Sequence, residues 1–242
     1  VTPASPLFRM MVTQSQSHNE LENKDYNTSA EIDNVIATIP HAFYQDKSAK
    51  YIIDKNLNWP SPLGVEIITK YITKNVKFIC PVRNVLDVLT SFDTIVNAHP
   101  DSKNNIMDEQ VLAAIDADQP LADRRADFLM RNDKDVSLSL NFMRHAAIPE
   151  YRHLFHFVEY DDFTNDPKKE IDKIYDFLEI EKYNHEFENI KDVSGISEDS
   201  LVGIKNLHTI RPTVQKVSRK PEDVFLPETI ARYSGLEFWR NI

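Results

Sequence analysis

Glycine is the residue that this sequence lacks most clearly. The chain has 242 residues and only 4 glycines, whereas average usage of about 7% gives about 17. None of them lies in residues 1–63. Glycine-rich turns bring backbone amides close to phosphate in dinucleotide-binding and Walker A loops. Because no such motif is present, the sequence excludes an intact P-loop nucleoside triphosphatase and an ordinary dinucleotide-binding dehydrogenase within this chain.

Cysteine, basic charge and long apolar runs are also scarce. Cys80 is the one cysteine, which excludes an internal disulfide and favours a reducing, cytoplasmic location. The net charge of −10 argues against nucleic acid as a partner. No apolar run approaches the roughly 18 residues that span a membrane. With 41% apolar residues, the sequence predicts one domain over residues 1–242, with a surface excursion over 99–125.

Apolar runs that suit strands alternate along the chain with runs of helical periodicity. Residues 13–35 predict a loop joined to a short helix, and Pro40 is expected to break a helix over 36–45. Strands are predicted over 50–54, 76–82 and 153–160, and further helices over 63–74, 85–96, 128–147, from Asp166 onward and over 227–233. Asn84 is expected to cap the helix over 85–96. This alternation predicts an α/β fold whose parallel sheet is flanked by helices.

The junction at residues 82–84 is the first candidate site. Arg83 follows a predicted strand, beside the free amides that open the next helix, where open α/β sheets bind ligands. Ser91 lies eight residues later, so both side chains can share one side of the helix. A guanidinium and a hydroxyl suit a phosphate. The alternative is that Arg83 pairs with Asp87 and that Ser91 is solvated.

The segment Lys77–Phe92 resembles the 3′-phosphate-binding segment of sulfotransferases that use 3′-phosphoadenosine 5′-phosphosulfate (PAPS). In that family a strand delivers an arginine and a helix serine lies eight positions later, as Arg83 and Ser91 do here. The resemblance implies that these two residues bind the 3′-phosphate. Asn84 departs from the pattern, because the family has an acidic residue at that position.

Three further segments follow the order of the same family. The segment 156–163 resembles its Tyr-Glu-Asp-Leu region, which implies that Tyr160 contacts the adenine. The segment 52–60 resembles a strand-end segment whose lysine, here Lys55, faces the sulfuryl group. The segment 207–212, with residues 233–239, resembles the closing segment of a branch that includes the tyrosylprotein enzymes, and implies that Arg211 approaches the cofactor phosphate. Together the four matches cover about residues 50–240.

The resemblance implies a sulfotransferase that moves a sulfuryl group from PAPS to a hydroxyl or amine by in-line displacement. Its acceptor is expected to be a small molecule, a glycan or a peptide, and no metal is implied. Lys55 is the expected catalytic residue. The general base stays open among Asp54, His41 and His208, because Leu57 stands where cytosolic relatives have a histidine. The alternative function is a non-catalytic nucleotide-binding or scaffold protein.

The front of the sequence departs most from the family pattern. The family opens with a strand and a Pro-Arg-Ser-Gly-type loop that binds the 5′-phosphosulfate, and nothing before Lys55 matches them. We therefore expect a P-loop-NTPase-like parallel sheet that lacks its first βα unit. A second basic feature, Lys216–Lys220, lies near Arg211 in sequence and is expected to add to the attraction of an anionic cofactor.

Overall fold

The structure is a computed structural model, and it describes residues 6–22, 29–44, 50–99, 111, 118–191 and 209–242. The chain forms two compact units. Unit 1 consists of Val1–Phe78 and Asn141–Leu154, and unit 2 consists of Ile79–Leu140 and Phe155–Ile242. Each unit is described on its own below. The expected single domain over 1–242 stays a prediction.

Three helices build most of unit 1. They are α1 (Pro6–Glu22), α2 (Ser29–Tyr44) and α3 (Pro62–Tyr71), and α1 packs against the other two. The apolar side chains between them are buried: Leu7, Met11, Ile36, Val65 and Ile67. Where a loop was expected within residues 13–35, α1 continues to Glu22 and α2 begins at Ser29, and residues 23–28 lie outside the described residues.

Pro40 lies inside α2 and does not end it, contrary to the expected break. Proline removes one backbone donor from a helix and typically costs about 3 kcal/mol there. Pro40 itself is buried, and α2 packs against both α1 and α3. The packing of α2 therefore outweighs the local preference of one residue.

The segment before α3 differs from its prediction. Residues 50–54 form no strand, and Tyr51, Ile52 and Ile53 are 49%, 51% and 62% exposed. An isolated apolar run does not hold a strand conformation without a paired neighbour. The chain then turns at Trp59 into α3, where Gly64 is required because a Cβ atom there would lie 2.5 Å from the Trp59 carbonyl oxygen.

The remaining helical pieces of unit 1 lie just before its second boundary. A 3-10 turn (Arg144–Ala147) leads into the short helix α7 (Pro149–Arg152). The helix α6 (Asp135–Met143) precedes this turn and has residues in both units. The single helix expected over 128–147 is thus divided, because the chain leaves helical geometry at residues 130–134.

A parallel pair of strands lies at the centre of unit 2. The strands are β1 (Phe78–Val82) and β2 (Phe155–Glu159), which confirms two of the three predicted strands. Each is followed directly by a helix, α4 (Val85–Ala98) after β1 and α8 (Tyr160–Asn165) after β2. The helix α9 (Pro167–Leu178) is capped by Asp166, as its sequence predicts. The fold is therefore mixed α/β with a small parallel sheet flanked by helices.

The helix α5 (Leu121–Leu129) carries buried charge into unit 2. Arg125 Nη1 donates to Asp93 Oδ1 over 2.6 Å and to Asn97 Oδ1 over 2.8 Å. Arg124 Nη2 donates to the carbonyl of Val111. Arg124 and Arg125 are both buried, and the surface excursion expected over 99–125 stays a prediction. Residues 100–110 and 112–117 of that range lie outside the described residues.

The C-terminal segment, residues 209–242, closes unit 2. It contains two 3-10 turns and one helix: Pro221–Asp223, α10 (Pro227–Tyr233) and Phe238–Asn241. The Leu226 amide donates to Asp123, and Arg232 and Tyr233 both donate to Asp127 over 2.6 Å. Unit 2 is therefore completed by contacts between residues about 100 positions apart in sequence.

Candidate functional site

Arg83 lies between the end of β1 and the beginning of α4. Asn84 is the N-cap of α4, as predicted, and its Oδ1 accepts from the amides of Leu86 and Asp87. The side chain of Arg83 is mostly buried, with 16% of its surface exposed. The strand end and the cap thus fix the backbone that presents this guanidinium.

The first amides of α4 are not free, contrary to the expectation from sequence. Two are held by Asn84, and the Val85 amide donates to Glu237 Oε1 over 2.9 Å. Glu237 comes from the C-terminal segment and is buried. A phosphate at this junction would therefore be bound by side chains and not by the helix amides.

The guanidinium of Arg83 makes three contacts. Its Cζ lies 4.3 Å from the centroid of the Tyr160 ring, a cation–π geometry. Its Nη2 donates to the Val217 carbonyl over 2.9 Å. Its Nε lies 3.6 Å from Asp87 Oδ2, so the alternative pairing with Asp87 does occur. That Nε is buried and has no hydrogen-bond partner among the described residues.

Tyr160 meets Arg83 because it occupies the matching position after β2. It is the first residue of α8, one residue beyond the end of that strand. The Val217 amide donates to its hydroxyl oxygen over 2.9 Å, and the same oxygen lies 3.5 Å from the Val217 carbonyl. The ends of two adjacent parallel strands thus bring together two residues that are 77 positions apart in sequence.

Ser91 lies on α4 and is half-buried. Asp87 lies four residues after Arg83 and four before Ser91, and residues at this spacing are neighbours on a helix face. Arg83 contacts Asp87 in the first turn of α4, and Ser91 follows Asp87 by four residues on that helix. The joint role of Arg83 and Ser91 in phosphate binding stays a prediction.

The basic segment Lys216–Lys220 contacts Arg83 and Tyr160 through the backbone of Val217. Lys216 Nζ forms an ion pair with Asp161 Oδ1 over 3.0 Å, and Arg219 Nη2 donates to the Asp223 carbonyl. Val217 was not singled out from sequence, because its contacts use backbone atoms. The signal that could have found this segment is its density of basic residues.

Arg211 lies in a different part of the C-terminal segment. It is exposed, and the adjacent Pro212 carbonyl accepts from the Ile190 amide. No hydrogen bond or ion pair joins Arg211 to Arg83 or Tyr160, all three of which are described. The expected approach of Arg211 to the cofactor phosphate stays a prediction.

Lys55 and two of the candidate bases belong to unit 1. Lys55 is exposed at the end of the segment 50–54. Tyr44 Oη donates to Asp54 Oδ2 over 2.9 Å, whereas Asp54 Oδ1 is buried without a hydrogen bond to the described residues. His41 is exposed on α2. His208 lies outside the described residues, so the choice of base stays open.

Metal ligands and membrane-spanning helices are not found in the described part of the chain. No group of three or more His, Cys, Asp or Glu side chains could hold a metal ion there, and no helix there is long and apolar enough to cross a membrane. Cys80 is buried on β1, and its burial raises the pKa of the thiol to about 12. The thiol is therefore protonated at neutral pH and does not serve as a nucleophile.

A comparison with models of known protein families assigns the chain to a family. The family model for the sulfotransferase domain matches residues 7–222, which include β1, β2 and both strand-to-helix junctions. The chain belongs to the sulfotransferase domain family. A search of curated proteins and a search of solved structures gave no match. Membership implies a transferase that moves a sulfuryl group, and binding of PAPS is typical of this family.

Proposed function

We propose that this sulfotransferase-family chain transfers the sulfuryl group of PAPS to a hydroxyl or amine acceptor. The observation that carries the proposal is the contact of Arg83 with Tyr160 at the ends of two parallel strands. Ligands of open α/β sheets bind at this edge. A cationic fork beside an aromatic ring suits a nucleotide that carries an additional phosphate.

Arg83 and Ser91 are the proposed ligands of the 3′-phosphate. The guanidinium of Arg83 has several N–H donors, and the one hydrogen bond that its side chain makes to the described residues is that from Nη2 to the Val217 carbonyl, so donor capacity is left for an anion. The Val217 carbonyl holds the Nη2 end of the guanidinium and Asp87 faces its Nε. Ser91 would add a hydroxyl donor from the same helix face. These residues fit a phosphate group without help from glycine-rich backbone.

Tyr160 is the proposed contact for adenine, and the basic segment supplies attraction. One face of the Tyr160 ring is covered by Arg83, and its hydroxyl is held by Val217, so the ring is fixed before a ligand arrives. Lys216 and Arg219 are exposed neighbours of this contact. With Arg211, they would raise the local concentration of an anionic nucleotide in an otherwise acidic protein.

Lys55 is the proposed catalytic residue, by resemblance and not by geometry. When bound, PAPS supplies an activated sulfuryl group whose transfer leaves negative charge on the departing phosphate. A lysine ammonium stabilises such charge as it develops. A general base must also accept the proton of the acceptor. Asp54 is held by Tyr44, and His41 and His208 are the other candidates.

The test is transfer of radiolabelled sulfur from PAPS by the full chain. Phenols, sugar alcohols, amines and tyrosine peptides would be offered separately as acceptors. We expect one of these classes to gain label and adenosine 3′,5′-bisphosphate to form in equal amount. Binding of the nucleotide without transfer to any class would overturn the catalytic part of the proposal and favour a nucleotide-binding protein.

A further inference from the structure

Residues 236–240, which we call the C-terminal clip, contact both strand-to-helix junctions of unit 2. One contact is made at Val85, two residues after Arg83. The other is made at Glu159, one residue before Tyr160. Five consecutive residues therefore hold the two backbone segments that present the candidate nucleotide site. Neither clip contact uses Arg83 or Tyr160 themselves.

The first contact is the one between Glu237 and the amide of Val85. Glu237 is 6% exposed and Val85 is 1% exposed, and the hydrogen bond of 2.9 Å is the one that the first amide of α4 makes. A carboxylate at a helix N-terminus is favoured by the helix dipole as well as by the hydrogen bond. A buried carboxylate needs such a partner, because burial without one is costly.

The second contact joins the same clip to the end of β2. Trp239 Nε1 donates to Glu159 Oε1 over 2.8 Å, and Arg240 donates to both oxygens of Glu159 over 2.6 Å and 3.0 Å. The ring of Trp239 is also stacked near Phe157 of β2, with 6.3 Å between centroids. A bidentate contact of this type fixes the orientation of the two side chains as well as the distance between them.

We propose that the C-terminal clip is a positioning device for 3′-phosphate recognition, with Glu237 as its principal residue. This inference rests on the proposed function. Arg83 meets Tyr160 and Val217 through side-chain and backbone contacts that require the two junctions to keep their spacing. The clip is hydrogen-bonded to each junction within two residues of Arg83 or Tyr160. Loss of Glu237 would release the beginning of α4 and let the guanidinium move relative to the ring.

The first experiment compares two nucleotides by calorimetric titration of the full chain. The measured quantity is the ratio of the Kd of adenosine 5′-phosphate to the Kd of adenosine 3′,5′-bisphosphate. We expect Glu237→Ala to lower this ratio about tenfold, the effect of losing one buried charged hydrogen bond. Glu237→Gln keeps an acceptor for the Val85 amide, so this variant should retain most of the Kd ratio of the unaltered chain. The control is Glu228→Ala, at an exposed carboxylate in the first turn of α10.

The second experiment follows hydrogen exchange at two amides without nucleotide. We expect Glu237→Ala to speed exchange at Val85, which loses its acceptor, and at Val217, whose amide donates to Tyr160. Amides of α9, which the clip does not contact by hydrogen bonds, should be unchanged. Faster exchange at Val85 with no change at Val217 would overturn the proposal. Faster exchange throughout α9 as well would assign Glu237 a general structural role and also overturn it.

Arg240→Ala keeps the proposal testable if Glu237→Ala does not fold. Arg240 is about half exposed, so its loss should be tolerated, and we expect a smaller decrease of the same ratio with faster exchange at Val217. If the unaltered chain does not prefer the bisphosphate, the proposed nucleotide site fails. The clip is then judged by exchange at Val217 alone, so the two failures are distinguishable.

Discussion

Arg83 in unit 2 and Lys55 in unit 1 are the two most important residues of the proposed reaction, and they are held very differently. Arg83 is mostly buried and contacts a ring, a backbone carbonyl and a carboxylate. Lys55 is exposed after three apolar residues that are themselves about half exposed. The nucleotide-binding role proposed for Arg83 thus rests on these contacts, whereas the catalytic role proposed for Lys55 rests on the family resemblance.

The largest effect is expected from breaking the buried pair Arg125–Asp93 in unit 2. Asp93→Ala would leave the Arg125 guanidinium buried without this carboxylate, at a cost of about 3–5 kcal/mol in the free energy of unfolding. Urea denaturation measures this loss. The matched control is Asp133→Ala, which removes an exposed carboxylate and should leave the midpoint unchanged. A small effect of Asp93→Ala would mean that unit 2 is not organised by this pair.

The next effect separates binding from chemistry at Lys55. We expect Lys55→Ala to reduce sulfuryl transfer about 100-fold, as for loss of one charge-stabilising group. The Kd of adenosine 3′,5′-bisphosphate, which lacks the sulfuryl group, should change less than about twofold. Lys74→Ala, at another exposed lysine of unit 1, is the control. Equal losses in transfer and bisphosphate binding would contradict the assignment of Lys55 to the transfer step.

Tyr160→Phe tests the contact that fixes the aromatic ring. The variant keeps the ring and removes the oxygen that accepts from the Val217 amide, so a hydrogen bond worth about 1 kcal/mol is lost. We expect bisphosphate to bind about fivefold more weakly. Tyr183→Phe, at a ring that is 70% exposed, should bind as the unaltered chain does. Unchanged binding by Tyr160→Phe would show that Val217 does not hold the site.

The smallest effect is a pH dependence of stability in unit 1. Partial burial lowers the pKa of His145 below its ordinary value of 6.5. His145 therefore binds a proton more readily in the unfolded chain than in the folded chain. Its contribution to the free energy of unfolding is complete above pH 6.5 and is lost as the pH falls through the lowered pKa. Urea midpoints at pH 7.5 and 5.5 measure the decrease. His145→Gln should make it smaller, and an unchanged decrease would exclude His145 as its source.

The sequence predicts those parts of the fold that depend on interactions between residues close together in the chain. Asn84 and Asp166 cap the helices that they were expected to begin, because a side-chain acceptor satisfies amides that follow it directly. The strands β1 and β2 were also recognisable from local sequence, because each is a mostly apolar run. The strand expected at residues 50–54 does not form, since strand formation depends on a neighbour that a single segment does not specify.

The candidate site was predicted in its residues but not in its contacts. Spacing indicated Arg83 and resemblance indicated Tyr160, and the structure brings them together. Val217 and Glu237 were missed, because one acts through its backbone and the other reaches Val85 across 152 residues. Contacts of such separation are set by the tertiary fold. The roles of Ser91, Arg211 and Lys55 stay predictions.

The central claim is that Arg83 recognises the 3′-phosphate of a nucleotide. It is tested most directly by calorimetric titration of the full chain with adenosine 3′,5′-bisphosphate and with adenosine 5′-phosphate. We predict that the chain prefers the bisphosphate, that Arg83→Ala loses about 30-fold of this preference, and that Arg131→Ala, at a half-exposed arginine of the same unit, keeps it. A chain without the preference, or a preference that survives in Arg83→Ala, would contradict the claim.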